Sequence, residues 1–205
     1  MKILRLFAIL GMFWAYQPPA EAQSARNSAG EGTGGTYDFD GTISRPVLEH
    51  YLDRSICMEG MLNGRGSFDD DIRMLKSTGA KYIARSICLW GGEANLLKNF
   101  ERAKEQVPKV HEADPQMVLE ACIFEIVTRQ VDQVPIPSWA FEALGMPVEQ
   151  RNFRYDDMIY TDARRGRRWG GNGAVPDVSR PETKLWFYFL ARSYIDLGFE
   201  AIHWG

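Results

Sequence analysis

Glutamate side chains recur at positions where predicted strands end. Glu59 follows the apolar segment around Ile56, and Glu125 follows the largely apolar run 117–124. In parallel βα folds the carboxyl ends of the strands lie at one edge, where catalytic residues gather. Two carboxylates about 5–10 Å apart can cleave a glycosidic bond, one as the acid and the other as nucleophile or base. The sequence therefore predicts Glu59 and Glu125 as catalytic residues.

Tryptophans and polar residues accumulate at the same predicted strand ends. Indole faces stack on the apolar faces of sugar rings, and the chain has six tryptophans, of which Trp169 also falls at the predicted rim. For each glutamate the alternative is a solvated or arginine-paired structural role, and His203 is equally compatible with a core position. We predict a substrate-binding surface made of Trp90, Glu93, Arg129, Trp139, His203 and Trp204.

Glu120 and the three cysteines are predicted to be structural. Glu120 lies inside a predicted strand, where a buried carboxylate needs a partner, and an arginine at the rim suits this better than Arg54 or Arg85. The cysteines fall in apolar runs without CxxC or Cys/His spacing, which favours buried thiols; one bridge between neighbouring strands is the alternative. With only three histidines in the chain, we expect no metal site, and no redox cofactor is expected.

The elements that position these residues are parallel strand–helix units. The segment 54–60 is echoed by 85–91 about thirty residues later, the size of one strand, loop and helix. Ser67 and Gly79 are typical of the start and the end of the first of these helices. The pattern predicts further strands over 82–89, 117–124 and 199–204, and helices over 47–51, 94–110, 138–144 and 181–197.

Successive parallel units occur in doubly wound sheets and in (β/α)8 barrels. A barrel takes about 250 residues, and this chain ends directly after a strand, which would leave an exposed parallel edge. We therefore expect an α/β fold that forms the N-terminal half of a (β/α)8 TIM barrel, in a truncated chain without the C-terminal half. Residues 128–180 form a long insertion, either a solvated surface or a lid whose arginines favour an acidic sugar.

The amino-terminal residues have the pattern of a cleavable signal peptide. Lys2 and Arg5 flank the start of an apolar stretch shorter than the ~20 residues of a membrane span, and 20–22 offers a cleavage site. We predict a signal peptide over 1–22, a flexible linker over 23–36 and one domain over 37–205. The protein is therefore expected to be secreted, to the periplasm or beyond, and to have no membrane span. Its net charge of -3 gives no indication that it binds nucleic acid.

The segment Asp38-Phe39-Asp40-Gly41-Thr42 matches the DxDGT signature of haloacid-dehalogenase phosphatases. In that family an apolar strand precedes the first aspartate, whereas here the preceding residues are rich in glycine. We interpret the segment as a turn, and a phosphatase acting through Asp38 and Asp40 with Mg²⁺ is the third alternative for function.

Four motifs resemble those of secreted bacterial glycoside-hydrolase-like (β/α)8 barrel proteins: Ser55-Ile56-Cys57-Met58-Glu59-Gly60, Ile136-Pro137-Ser138-Trp139-Ala140-Phe141, Arg180-Pro181-Glu182-Thr183 and Ala201-Ile202-His203-Trp204-Gly205. The resemblance implies a carbohydrate substrate or ligand, with the acids of many retaining members after strands four and seven. We expect a carbohydrate-active protein that hydrolyses a polysaccharide or oligosaccharide by paired carboxylates. The alternative is a non-catalytic glycan-binding or surface protein.

Overall fold

The computed structural model of the chain describes residues 44–162, 166, 168–170 and 173–205. The strands are β1 Ser55–Cys57, β2 Tyr82–Cys88, β3 Val118–Ile123 and β4 Ala201–Trp204. The helices are α1 Arg45–Asp53, α2 Phe68–Thr78, α3 Leu96–Ala113, α4 Ser138–Ala143 and α5 Pro181–Asp196. The predicted signal peptide, the predicted linker and the DxDGT segment lie outside the described residues.

The four strands form one all-parallel sheet in the order β1-β2-β3-β4. Strand β3 is buried at every residue, as its largely apolar sequence predicts for a parallel strand covered on both faces. The edge strands β1 and β4 are short and more exposed. The predicted α/β fold built from parallel βα units is confirmed.

Helix α2 shows how the sequence sets the limits of an element. The Ser67 hydroxyl accepts a hydrogen bond from the Asp70 N–H, and three aspartates in the first turn lie at the positive end of the helix dipole. Gly79 has a φ of 69° and donates its N–H to the Leu75 carbonyl. This left-handed conformation favours glycine, so the predicted start and end of the helix are both confirmed.

The two faces of the sheet are covered differently. One face contributes Ile83, Leu119 and Ile123 to the main core, where they meet buried side chains of α2, α3, α4 and α5. The opposite face has a smaller cluster of Cys88, Cys122, Phe124 and Ile126, against which Trp169 packs. Within the described ranges, no helical residue belongs to this smaller cluster. Helices α2 to α5 therefore pack on one face, and residues after the end of β3, together with Trp169, pack on part of the other.

The predicted insertion is part of the core as well as of the surface. Besides α4 it contains two 3-10 turns, at Arg129–Gln133 and Tyr155–Asp157, and isolated antiparallel bridges that include Pro135 with Asn152. Side chains such as Phe153 and Met158 are almost fully buried in the main core. The segment therefore packs as an integral layer, and its interpretation as a solvated surface loop was incomplete.

Two of the cysteines are buried as predicted, and the third is not. Cys88 and Cys122 are neighbours in register on β2 and β3, and both are free thiols. Cys57 is exposed, because it ends the three-residue edge strand β1, whose outer residues both face solvent. The alternative of a bridge between neighbouring strands is not formed.

Alkylation should distinguish the exposed thiol from the two buried ones. Burial raises the pKa of the Cys88 thiol to about 11 and that of Cys122 to about 12. Because the thiolate is the nucleophile, neither should react at pH 8. We expect iodoacetamide to label Cys57 alone in the native protein and all three cysteines after unfolding, as counted by mass spectrometry. Native labelling of a Cys57→Ser variant would contradict the burial of the other two.

Among the helices described, none combines the length and the apolar content needed to cross a lipid bilayer.

Candidate functional site

A cleft of about 370 Å³ opens at the carboxyl ends of β1 and β2. Three segments line it: the turn after β1, the loop after β2 and the first two turns of α3. Two residues predicted from the sequence, Glu59 and Trp90, belong to its lining. This cleft is the candidate site.

The turn after β1 is fixed to the end of β2 by Asn63. Its side-chain amide donates a hydrogen bond to the Cys88 carbonyl and accepts one from the Cys88 N–H, both at 2.9 Å. The preceding residues Met61 and Leu62 are buried in the main core. These contacts hold the wall of the cleft in place without a ligand.

Arg102 joins the turn to helix α3. Its guanidinium donates a hydrogen bond to the Asn63 carbonyl and lies against Gly64, where a Cβ would come within 2.5 Å of Cζ. Gly64 also has a φ of 78°. A side chain at this position would therefore displace the guanidinium and strain the backbone.

Charged side chains of both signs line the cleft. Glu59 is paired with Arg65 at 3.2 Å, and both side chains are at least half exposed. Lys98 extends from the first turn of α3 and has no ion pair or hydrogen bond with another described residue. With Arg102, the described part of the lining therefore holds three cations and one carboxylate.

Trp90 is an aromatic residue that lines the cleft, and its ring packs against two other aromatic rings. Its ring centroid lies 5.0 Å from that of Phe124 and 6.2 Å from that of Trp169. The residue nevertheless remains 54% exposed. The indole is thus held by ring contacts while a large part of its surface faces solvent.

Two more predicted residues lie around Phe124. The imidazole of His203 is in edge contact with the Phe124 ring at a centroid distance of 6.0 Å. Gly205 packs against the same ring, and a Cβ there would lie 3.4 Å from a Glu125 carboxylate oxygen. The structure therefore brings His203 and Glu125 to the aromatic cluster that supports Trp90.

Glu93 occupies an internal position, although the sequence predicted it to bind substrate. It is 2% exposed, and its two oxygens accept hydrogen bonds from the Thr128 N–H at 2.8 Å and the Thr128 hydroxyl at 2.5 Å. Both oxygens are therefore bonded within the protein, where they connect the loops that follow β2 and β3.

Three other residues predicted to bind substrate make their contacts with residues other than Trp90. Trp139 packs on the α5 residues Tyr188 and Phe189. Trp204 makes a ring contact with Phe187 of the same helix, because side chains of a strand alternate and Trp204 faces opposite to its neighbour His203. Arg129 is bound by the Asp156 carboxylate and stacks over Tyr155, both within the insertion.

Glu120 is hydrogen-bonded, as a buried carboxylate must be, but its partners do not include the arginine side chain that the sequence predicts. It accepts hydrogen bonds from the Tyr82 hydroxyl at 2.5 Å and from the backbone N–H of Arg85 at 3.1 Å. Burial, together with the hydrogen bond to Glu120, raises the pKa of Tyr82. An irregularity of β2 between Ile83 and Ile87, with Arg85 at a φ of 55°, turns that N–H toward the carboxylate. The expected rim arginine is therefore replaced by a tyrosine and the backbone.

Glu59 and Glu125 follow strands that are not neighbours in the sheet, because β2 lies between β1 and β3. Two strand spacings correspond to about 10 Å. Glu125 lies in a bend two residues after the end of β3, so the strand register does not extend to it. Acid pairs of glycosidases lie within about 10 Å. The order of the strands thus gives less support to catalysis by this pair than to binding.

Sequence reasoning missed most of the polar lining. From the sequence, Asn63 and Arg65 were assigned no role, and the segment 94–110 was predicted only as a helix. Yet four polar residues of α3 and its cap recur at spacings of three and four, which places them on one helix face. They are Asn95, Lys98, Asn99 and Arg102, and all line the cleft.

Within the described ranges, no group of three or more His, Cys, Asp or Glu residues is arranged to hold a metal ion. The chain matches no protein-family model, no curated protein and no solved structure at significant similarity.

Proposed function

We propose that the protein binds carbohydrate at the carboxyl edge of its sheet, with a sugar ring stacked on Trp90 and its substituents in the adjoining cleft. The observation that carries this proposal is the position of Trp90, which is more than half exposed and yet held by two aromatic rings. A rigid indole offers an apolar face to a sugar ring at little cost in conformational entropy.

The polar groups beside the indole support the same interpretation. Small-molecule sites combine an apolar contact surface with a few placed hydrogen-bonding groups. Here Asn95 and Asn99 line the cleft next to Trp90. Amides both donate and accept hydrogen bonds, as sugar hydroxyls require.

The arrangement of the sheet is also compatible with a carbohydrate-active barrel. Strands in chain order with helices on one face are the arrangement of a (β/α)8 barrel, whose sites lie at the carboxyl ends of the strands. We propose that the chain forms the N-terminal half of such a barrel, and that it is secreted through its amino-terminal signal sequence. A C-terminal half would then pair with the edge strands β1 and β4.

Hydrolysis through Glu59 and Glu125 is the second candidate function. Both carboxylates lie at the carboxyl edge, and Glu125 adjoins the ring cluster that supports Trp90. In this case Glu125→Gln should abolish release of reducing sugar while leaving saccharide affinity within about twofold, because the lost interaction acts in the transition state. Retention of full activity would exclude Glu125 as the acid or nucleophile.

Replacement of Trp90 tests the binding proposal. Trp90→Ala should weaken saccharide binding by about tenfold or more, because burying an apolar side-chain surface contributes about 1.5–3 kcal/mol and each 1.4 kcal/mol is tenfold. Trp90→Tyr, which keeps an aromatic face, should retain most of the affinity. The measurement is isothermal titration against an oligosaccharide panel.

The matched control is Leu52→Ala, an equally exposed apolar residue on α1. It should leave binding unchanged. Equal affinities of Trp90→Ala and the unaltered protein would remove the support for this site.

A further inference from the structure

We propose that the cleft beside Trp90 is an anion subsite that binds the carboxylate of a uronic acid or the sulfate ester of a charged saccharide. This inference rests on the proposed carbohydrate function and names the substrate class. The sugar ring would stack on Trp90, and its anionic substituent would lie among Arg65, Lys98 and Arg102.

The first argument is the charge of the cleft. Of the described residues, three cationic side chains and a single carboxylate line it, and that carboxylate, Glu59, is already paired with Arg65. The chain as a whole carries a formal net charge of -3. The positive character is therefore local to the cleft, and a diffuse basic surface does not account for it.

The second argument is an amide that reaches the cleft. Asn99 lines the cleft, and its side chain makes no hydrogen bond to another residue in the described part of the chain. Although the residue as a whole is only 6% exposed, its amide atoms are not among the described buried atoms that lack a partner, so they remain open to the cleft. An open amide of this kind can bind an oxygen of the ligand.

The third argument is preorganisation. Arg102 is held by the Asn63 carbonyl and fits against Gly64, while Asn63 itself is fixed to the backbone of Cys88. Arg102 carries more N–H donors than this one contact uses, and a planar guanidinium suits carboxylate and sulfate oxygens. The first turn of α3 adds the positive end of the helix dipole.

Lys98 provides the sharpest test, because it lines the cleft, is exposed and has no partner among the described residues whose loss would disturb the fold. Its matched control is Lys104, which is exposed on the same helix but outside the cleft. We would titrate Lys98→Glu, Lys104→Glu and the unaltered protein with three probes. These are tetragalacturonate, a sulfated carrageenan tetrasaccharide and neutral cellotetraose.

We expect at least one of the anionic probes to bind, and we expect Lys98→Glu to weaken it about tenfold or more, with Lys104→Glu within about twofold. Raising the salt concentration should weaken the anionic probe only. The probe that binds distinguishes a carboxylate from a sulfate subsite.

Binding of the neutral probe with equal or higher affinity than both anionic probes would overturn the anion subsite and leave the carbohydrate function standing. Equal losses in the two lysine variants would overturn it too, since the attraction would then be non-specific. Absence of binding to all three probes would contradict both proposals.

Discussion

Replacing Arg151 with methionine should lower the free energy of unfolding by about 3 kcal/mol, because it leaves a buried carboxylate without its charge partner. The Arg151 guanidinium donates two hydrogen bonds to the Glu182 carboxylate, at 2.7 and 2.8 Å. The side chain of Glu182 is 6% exposed and that of Arg151 is 13% exposed. The Arg154 N–H remains as a donor to Glu182 in the variant, which places the loss near the lower end of the range for a broken buried pair.

The measurement is urea denaturation of the full chain, and the control is Arg192→Met. Arg192 pairs with Asp196 at 2.8 Å on α5, but both side chains are more than 40% exposed. Exposed pairs four residues apart contribute only about 0.3–0.5 kcal/mol. Equal destabilisation by the two substitutions would show that burial does not set the strength of the Arg151 pair.

The Arg151–Glu182 pair also explains the structural role of the motif Arg180-Pro181-Glu182-Thr183. Pro181 occupies the first turn of α5, where its missing N–H costs nothing, and Glu182 follows at the positive end of the helix dipole. The same carboxylate binds Arg151, whose guanidinium lies over the Phe141 ring of α4. The motif therefore anchors the insertion to the start of α5.

The elements of the fold were predictable because local signals agree with tertiary packing. The β3 sequence is apolar apart from Glu120 and its strand is buried throughout, while Ser67 and Gly79 bound α2 in both the sequence and the structure. The buried residues of the insertion were harder to predict. Phe153 and Met158 do not belong to a periodic apolar pattern, and they are buried by contacts with distant elements. Hydrophobic periodicity indicates a helix or a strand, but not a packed irregular segment.

Only some residues of the candidate site could be predicted, because the sequence indicates where a strand ends but not the direction of its side chains. Position at a strand end correctly placed Glu59 and Trp90 at the cleft. It could not show that Glu93 is turned inward to Thr128, or that Trp204 faces α5, because side-chain direction depends on register and on loop geometry. Lys98 and Asn99 were overlooked because they belong to the helix after β2 rather than to the strand end itself.

The sequence predicts that Glu93 binds substrate, whereas the structure gives it an internal structural role. Replacement of Glu93 distinguishes the two roles. Replacing it with alanine should lower the free energy of unfolding by about 3 kcal/mol, because a hydrogen bond to a charged group contributes about 1.5–3 kcal/mol and two such bonds are lost. The Thr128 N–H and hydroxyl would then lose their acceptor in an interior position. Thermal and urea unfolding of the variant measure this loss.

Glu93→Gln separates the structural role from a catalytic or binding one. A carboxamide oxygen can accept from the Thr128 N–H, while its NH₂ group donates to the hydroxyl oxygen. We therefore expect the glutamine variant to keep all but about 1 kcal/mol of the stability, and to bind saccharide as the unaltered protein does. Loss of binding or hydrolysis in Glu93→Gln, with its unfolding curve unchanged, would restore Glu93 to the site and contradict the internal role. A glutamine variant as unstable as the alanine variant would show that the negative charge itself, rather than the two hydrogen bonds, joins the loops after β2 and β3.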